Sequence, residues 1–243
     1  MNFQEHKPNF FLDNVIDSIW EFSHLEKEET MRILPDGCSD IIINLGDVPS
    51  IFISGIMTSY TDNTFSKQTN LIGIRFKEGK LGEFTDAPIS ETKDSQIEAV
   101  HFFPFFHKTL LSQLNDANNF FDKKLQIETL LSQSMLKKKK SSHQLIDSII
   151  HTIKNSSENI NLNSIAKNHF ISLRQLERKF KYQVGVTMKE FHRIIRFKKV
   201  HRAIIQSKNP NFSKIANQFG FHDYSHLSYE IKKFTGQSVS KLK

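Results

Sequence analysis

The chain repeats itself. Ile165-Ala166, Leu176, Phe180 and Gly185 are echoed by Ile215-Ala216, Leu227, Ile231 and Gly236, at an offset of 50 residues that becomes 51 after one insertion. Apolar spacing of three and four residues makes each copy a helix, a turn and a second helix. In the first copy Leu162, Ile165 and Ala166 share a face, Ser172 caps the next helix, and Leu173, Leu176 and Phe180 form its buried stripe before Gly185 ends it. In the second, Phe212, Ile215, Ala216 and Phe219 precede the cap Asp223, and Leu227, Ile231 and Phe234 form the stripe before Gly236. Residues 187–206 join the copies as one helix with Phe191, Ile194, Ile195, Val200 and Ile204 on its apolar side. At about 1.5 Å per residue it is about 30 Å long, close to the roughly 34 Å turn of B-DNA.

Charge divides the chain the same way. Residues 1–136 have a net charge of −9 and residues 137–243 a net of +16, although the whole chain is only +7. A second helix that buries one stripe against its partner leaves another stripe to meet base edges. In the first copy that stripe is Arg174, Gln175, Glu177 and Arg178; Arg bonds guanine bidentately, Gln does the same to adenine, and Glu accepts from cytosine or holds an arginine. In the second copy it is Ser225, Tyr229 and Lys232, with His226 beside them as a further DNA-facing side chain. The cations expected on phosphates are Lys181, Lys189, Arg193, Arg196, Lys199, Arg202, Lys232 and Lys233. The competing reading of these stripes is a solvated, salt-bridged helix surface.

Residues from about 143 to 243 resemble the DNA-binding region of AraC/XylS-type bacterial transcription regulators. Ile165-Ala166 with Ser172 to Phe180 carries the first signature, and Ile215-Ala216, Gly220-Phe221, Ser225-His226-Leu227 and Phe234-Thr235-Gly236 the second. The resemblance implies one module of two helix-turn-helix units that bends or follows DNA. It departs from the family at Tyr229, where a basic residue is usual, and at Gln237 to Ser240, where a proline-containing turn is usual.

The N-terminal half reads as β structure. Short apolar clusters at residues 40–45, 51–56 and 71–76 are separated by turn formers, Pro35-Asp36-Gly37 and Gly46-Asp47 among them. Leu12, Val15, Ile16 and Ile19 fall at helical spacing and suggest a helix on the sheet; Leu110, Leu111 and Leu114, then Leu125, Leu130 and Leu131, suggest two more. Lys137 to Lys140 reads as a linker. Pro35 to Asp40, and Gly73 to Gly79, resemble the cupin-like sensory domain that precedes the AraC-type module in some regulators. The expected fold is α+β: an acidic cupin-like sensory or dimerisation domain over 1–136, a linker over 137–142, and an all-α double helix-turn-helix domain over 143–243. Asp36, Asp40 and Arg75 are the candidate effector contacts. Pro-Asp-Gly is most simply a turn preparing a strand, and Arg75 either binds a ligand carboxylate or pairs internally with Asp36 or Asp40.

Other chemistry finds little support. No histidine lies between Glu26 and Val100, so a metal-dependent cupin enzyme lacks its imidazoles, and the His222/His226 pair lacks a third ligand. No phosphate loop, nucleophile elbow or acid-base pair is present, and neither metal, cofactor nor enzymatic activity is expected. Cys38 reads as a small buried residue rather than a redox sensor. Apolar runs are far shorter than a membrane span, and residues 1–11 lack secretory character, so a cytoplasmic location is expected. The partners left open are double-stranded DNA, a small-molecule effector and RNA polymerase, with the chain acting as monomer or homodimer and without a membrane. Two alternatives stand beside the regulator: a helical protein-interaction scaffold, and an N-terminal enzyme with a basic nucleic-acid-targeting module. Opposite net charge also allows the acidic half to dock on the basic half and lower its DNA affinity until an effector intervenes.

Overall fold

A computed structural model describes residues 2–23, 26–46, 48–103, 110–114, 116–117, 119–137, 144–156 and 160–242. Among the described residues eight strands come first: β1 (Asn2–His6), β2 (Ile16–Ser23), β3 (Glu29–Ile33), β4 (Ser39–Asn44), β5 (Ser50–Ser54), β6 (Thr61–Phe65), β7 (Leu71–Phe76) and β8 (Gln96–Glu98). They form an antiparallel six-stranded sheet in the order β1-β2-β7-β4-β5-β8 and a separate ribbon, β3-β6. Alternation sorts the sheet's faces. Ile41, Ile43, Ile51, Ile53, Ile72, Ile74 and Phe76 are buried on one side with residues of two helices, α1 (110–114) and α2 (Phe120–Lys137). Trp20, Asp40, Ile42 and Arg75 stand on the other side, below the ribbon.

The helix expected from Leu12 to Ile19 is a single turn followed by strand β2. Leu12 N–H donates to the Asn9 carbonyl, and the N–H groups of Val15 and Ile16 donate to Leu12, but the ladder to β7 then takes over. A bulge between Ile16 and Ser18 shifts the pleat by one residue, which puts Ile16 and Ile19 on the same buried face three apart. That odd spacing imitates a helix. In α2 the buried residues include Ile127, Leu130 and Leu131, whereas Leu125, expected in that stripe, is exposed. Lys137 closes α2, and the rest of the expected lysine linker, with Phe105, Phe106 and His107, lies outside the described residues.

Among the described residues six helices follow: α3 (Gln144–Asn155), α4 (Leu162–Asn168), α5 (Leu173–Val184), α6 (Met188–Gln206), α7 (Phe212–Gln218) and α8 (Tyr224–Thr235). Their common core runs from Ile146 to Val239 and includes Phe180, Phe191, Phe197 and Phe234, with Phe197 and Phe234 stacked at 4.6 Å. Ile56, from the strand half, is buried in this helical core.

The two halves touch through named contacts. Lys80 pairs with Asp147 at 2.8 Å, Lys154 with Glu78 at 3.0 Å and Lys93 with Glu190 at 2.5 Å. The Tyr182 hydroxyl donates to the Asp86 carbonyl. Gly37, in the left-handed region, packs under Phe191, Ile194 and Ile195 of α6. Arg32 on β3 donates to the Thr235 carbonyl at 3.0 Å, a cation at the C-terminus of α8, where the helix dipole favours it. Cations come from both halves, so this contact is not an acidic surface laid on a basic one.

Candidate nucleic-acid interface and N-terminal cavity

Both helix-turn-helix units are built from the same local devices. Asn161 and Asn211 cap α4 and α7 by accepting from the backbone N–H three residues on. Phe170 and Gly220 then turn the chain with φ of +53° and +71°. Ser172 caps α5 in a box with Gln175, Asp223 caps α8 by accepting from His226 N–H at 2.8 Å, and Gly185 and Gly236 end the second helices in the left-handed conformation.

What remains outside is the candidate reading surface. On α5, Leu176, Phe180 and Val184 are buried while Arg174, Gln175, Glu177, Arg178 and Lys181 are exposed. Gln175 is only half available, because its carboxamide oxygen accepts from the Ser172 hydroxyl at 3.0 Å, leaving its NH₂ group to donate. On α8, Ser225, His226, Tyr229, Lys232 and Lys233 are exposed, and Tyr229 is 66% exposed. The Asp223 carboxyl is held below the usual carboxylate range by the His226 backbone N–H and by His222.

Three of the residues expected on phosphates have partners within the protein. Arg193 grips buried Glu230 with two bonds, Nε to Oε2 at 3.0 Å and Nη2 to Oε1 at 2.8 Å, tying α6 to α8. Arg196 lies 4.2 Å over the Phe221 ring and donates to the Gly220 carbonyl; burial lowers its pKa. Lys199 donates to the Ser156 carbonyl at 3.0 Å, and burial lowers its pKa too. These cations hold α6 to its neighbours because long side chains on a central helix reach polar groups on flanking ones. Lys181, Lys189, Arg202, Lys232 and Lys233 stay exposed. Sequence reading missed Glu230, whose signal was an acid at the position that Lys179 occupies in the first copy.

In the N-terminal half, a cavity of about 740 Å³ lies between the sheet and the β3-β6 ribbon. Arg75 faces Asp40 across the β4-β7 pair, and its guanidinium lies 3.3 Å from Asp40 and 3.2 Å from Asp36. Of the two expectations for Arg75, the internal pair is the one found. Trp20 Nε1 donates to Asp40 at 3.3 Å, and the Trp20 ring fills the space above Gly73, where a Cβ would come within 1.8 Å of it. Burial pushes the Asp40 carboxyl above its ordinary value despite Arg75. Burial also works against the Arg75 charge, but Asp40 and Asp36 outweigh it and hold the guanidinium above its usual pKa. Asp36 accepts from Cys38 N–H at 2.9 Å, which turns the chain at Pro-Asp-Gly, and Asp36 itself lines the cavity. Burial raises the Cys38 thiol well above its ordinary value, unlike a reactive cysteine.

Residues 165–243 match the family described as a helix-turn-helix domain. The C-terminal region is a helix-turn-helix domain. Upstream of that domain, residues 4–98 match a domain of unknown function, DUF6597. The chain is similar to the HTH-type transcriptional activator RhaS of Pectobacterium carotovorum subsp. carotovorum (strain PC1), at 28% identity over 104 residues, which is 42% of this chain and 37% of the relative. The chain thus spans little more than a third of that relative's length. The C-terminal domain of AraT, a response regulator from Geobacillus stearothermophilus, aligns with 40% of this chain and 82% of its own at 22% identity and a TM-score of 0.38. ToxT from Vibrio cholerae O395 aligns with 99% of this chain and 96% of its own at 14% identity and a TM-score of 0.43. Among the described residues no helix is long and apolar enough to cross a membrane, and no three of His, Cys, Asp or Glu converge as metal ligands.

Proposed function

We propose that the chain is a sequence-specific DNA-binding transcription regulator whose N-terminal domain senses a small ligand or mediates dimerisation. The observation that carries this reading is the pair of helix-turn-helix units with equivalent caps and turns, joined by α6, the first presenting Arg174, Glu177 and Arg178 to solvent. Phosphate contacts from Lys181, Lys189, Arg202, Lys232 and Lys233 supply most of the affinity, and α5 supplies most of the sequence preference. In this reading residues 1–136 are the sensory or dimerisation part, residues 137–142 a linker, and residues 143–243 the DNA-binding part. The chain acts in the cytoplasm without catalysing a reaction, with double-stranded DNA as partner and RNA polymerase or a second copy of itself as further partners. The contacts that Lys80, Lys93, Lys154 and Arg32 make between the halves support a docked state whose DNA affinity an effector changes.

Affinity of the full chain for its own upstream DNA and for random DNA, each titrated with salt, tests the reading. A preference of about a thousandfold or more, with several counterions released, is expected. Equal binding to both removes the sequence-specific role, and an absence of DNA binding returns the helices to a protein-interaction scaffold.

A further inference from the structure

The N-terminal cavity holds more carboxyl groups than guanidinium groups. Asp36 and Asp40 share the single guanidinium of Arg75, at 3.2 and 3.3 Å, so that trio has two carboxyl groups for one guanidinium. Glu5 adds a further carboxylate at the exposed end of the lining. Asp62, on the ribbon, is matched outside the trio by two bonds from Arg32, each 2.7 Å. An anion entering this space would have to draw Arg75 away from two partners and would then lie against carboxylates. A cation meets the reverse situation. It is attracted to the carboxyl groups of Asp36 and Asp40 without breaking an existing pair, in a partly buried place where water screens the attraction less. The remaining walls suit an apolar body. Trp20, Phe52 and Phe65 contribute aromatic surface, and ring faces attract cations, particularly substituted ammonium groups. The volume of about 740 Å³ falls within the roughly 300–1,000 Å³ of small-molecule sites.

We propose that this cavity binds an organic cation, with its charged group against Asp36 and Asp40 and its aromatic or alkyl body between Trp20 and the β3-β6 ribbon. The assignment deepens the ligand-sensing part of the proposed function and rests on that reading. It replaces the expectation that Arg75 captures a ligand carboxylate.

Trp20 is the only tryptophan of the chain, so its fluorescence reports occupancy without interference from another indole. The full chain is titrated with benzyltrimethylammonium, and in parallel with phenylacetate as an anion of comparable body and with benzyl alcohol as a neutral one. Saturable binding of the cation is expected, at least about tenfold tighter than either comparator, and Asp40→Asn or Asp36→Asn is expected to weaken it about tenfold. Thermal melting establishes that each variant folds. Asp36 is the more exposed of the two, at 26% against 13%, so Asp36→Asn carries the test if Asp40→Asn does not fold. Phenylacetate or benzyl alcohol binding as tightly as the cation, cation binding unaltered in the folded variants, or no saturable binding of the cation would overturn the assignment. These titrations contain no DNA. A chain that selects its upstream DNA but fails them loses only the cation site, and one that passes them but ignores DNA loses only the regulator reading.

Discussion

The two helix-turn-helix units share a backbone and differ in nearly every exposed side chain. Asn161 matches Asn211, Ser172 matches Asp223 and Gly185 matches Gly236, each pair serving as the same kind of helix boundary. On the outer surface, Arg174 and Arg178 of the first unit are replaced by Ser225 and Tyr229, and Glu177 by Ser228. At Lys179 the replacement reverses both charge and environment, since its counterpart Glu230 is buried on Arg193. Caps and buried stripes define the motif, and the exposed positions are free to take on different work. The first unit carries the groups suited to reading bases, whereas the second is tied into the domain by an internal ion pair.

The largest way to break this contrast is at that ion pair. Glu230→Ala strands the Arg193 guanidinium and is expected to cost about 2 kcal/mol by chemical denaturation, less than the roughly 3–5 kcal/mol of a fully buried pair because Arg193 is 33% exposed. Lys179→Ala is expected to stay within about 0.5 kcal/mol, as for exposed positions generally. Equal costs would mean that the second unit is not anchored as described. In DNA binding the asymmetry runs the other way. Arg178→Ala is expected to weaken specific binding by about 1–3 kcal/mol and relax preference at one base pair, while its counterpart Tyr229→Ala costs less than about 1 kcal/mol, both read by titration against operator and random DNA. Equal loss on both DNAs for Arg178→Ala would remove its base-reading role.

The caps sharpen the comparison further. Ser172→Ala is expected to cost about 1 kcal/mol at any pH, since a hydroxyl cap does not titrate. Asp223 is held below the usual carboxylate range in the folded chain, so its contribution is present above that range and is lost as pH falls through the folded value. Thermal melts should therefore separate Asp223→Ala from the parent at about pH 6 and bring them together toward about pH 2. The smallest effect is expected at the turns. Phe170 holds φ at +53° where the second unit has Gly220, so Phe170→Gly should stabilise the chain by about 0.5 kcal/mol, relief of strain slightly exceeding the entropy of glycine.

The helical half was legible because its signals are local and doubled. Ser172, Asp223, Gly185 and Gly236 mark boundaries through chemistry within a few residues, and the second copy checks the first. The strand half was legible only as β. Its β2 strand passed for a helix because a bulge broke the two-residue period, and pairing register is set by partners far along the chain. The exposed stripe of α5 could be placed from spacing alone. The roles of Arg193, Arg196 and Lys199 could not, because a cation's partner is decided by which helix packs beside it, and Glu230, Gly220 and Ser156 are all brought to α6 by tertiary structure.

The β3-β6 ribbon roofs the cavity with Met31, Ile33 and Phe65, while Arg32, between two of these residues, holds the last turn of α8. One two-stranded element is thus a wall common to both halves. Thermodynamic linkage makes any traffic through such a wall reciprocal: a cavity ligand that changes DNA affinity by some factor has its own affinity changed by DNA by the same factor. For a chain that works in this way, operator DNA is an effector of the cavity in the same sense that the ligand is an effector of DNA binding.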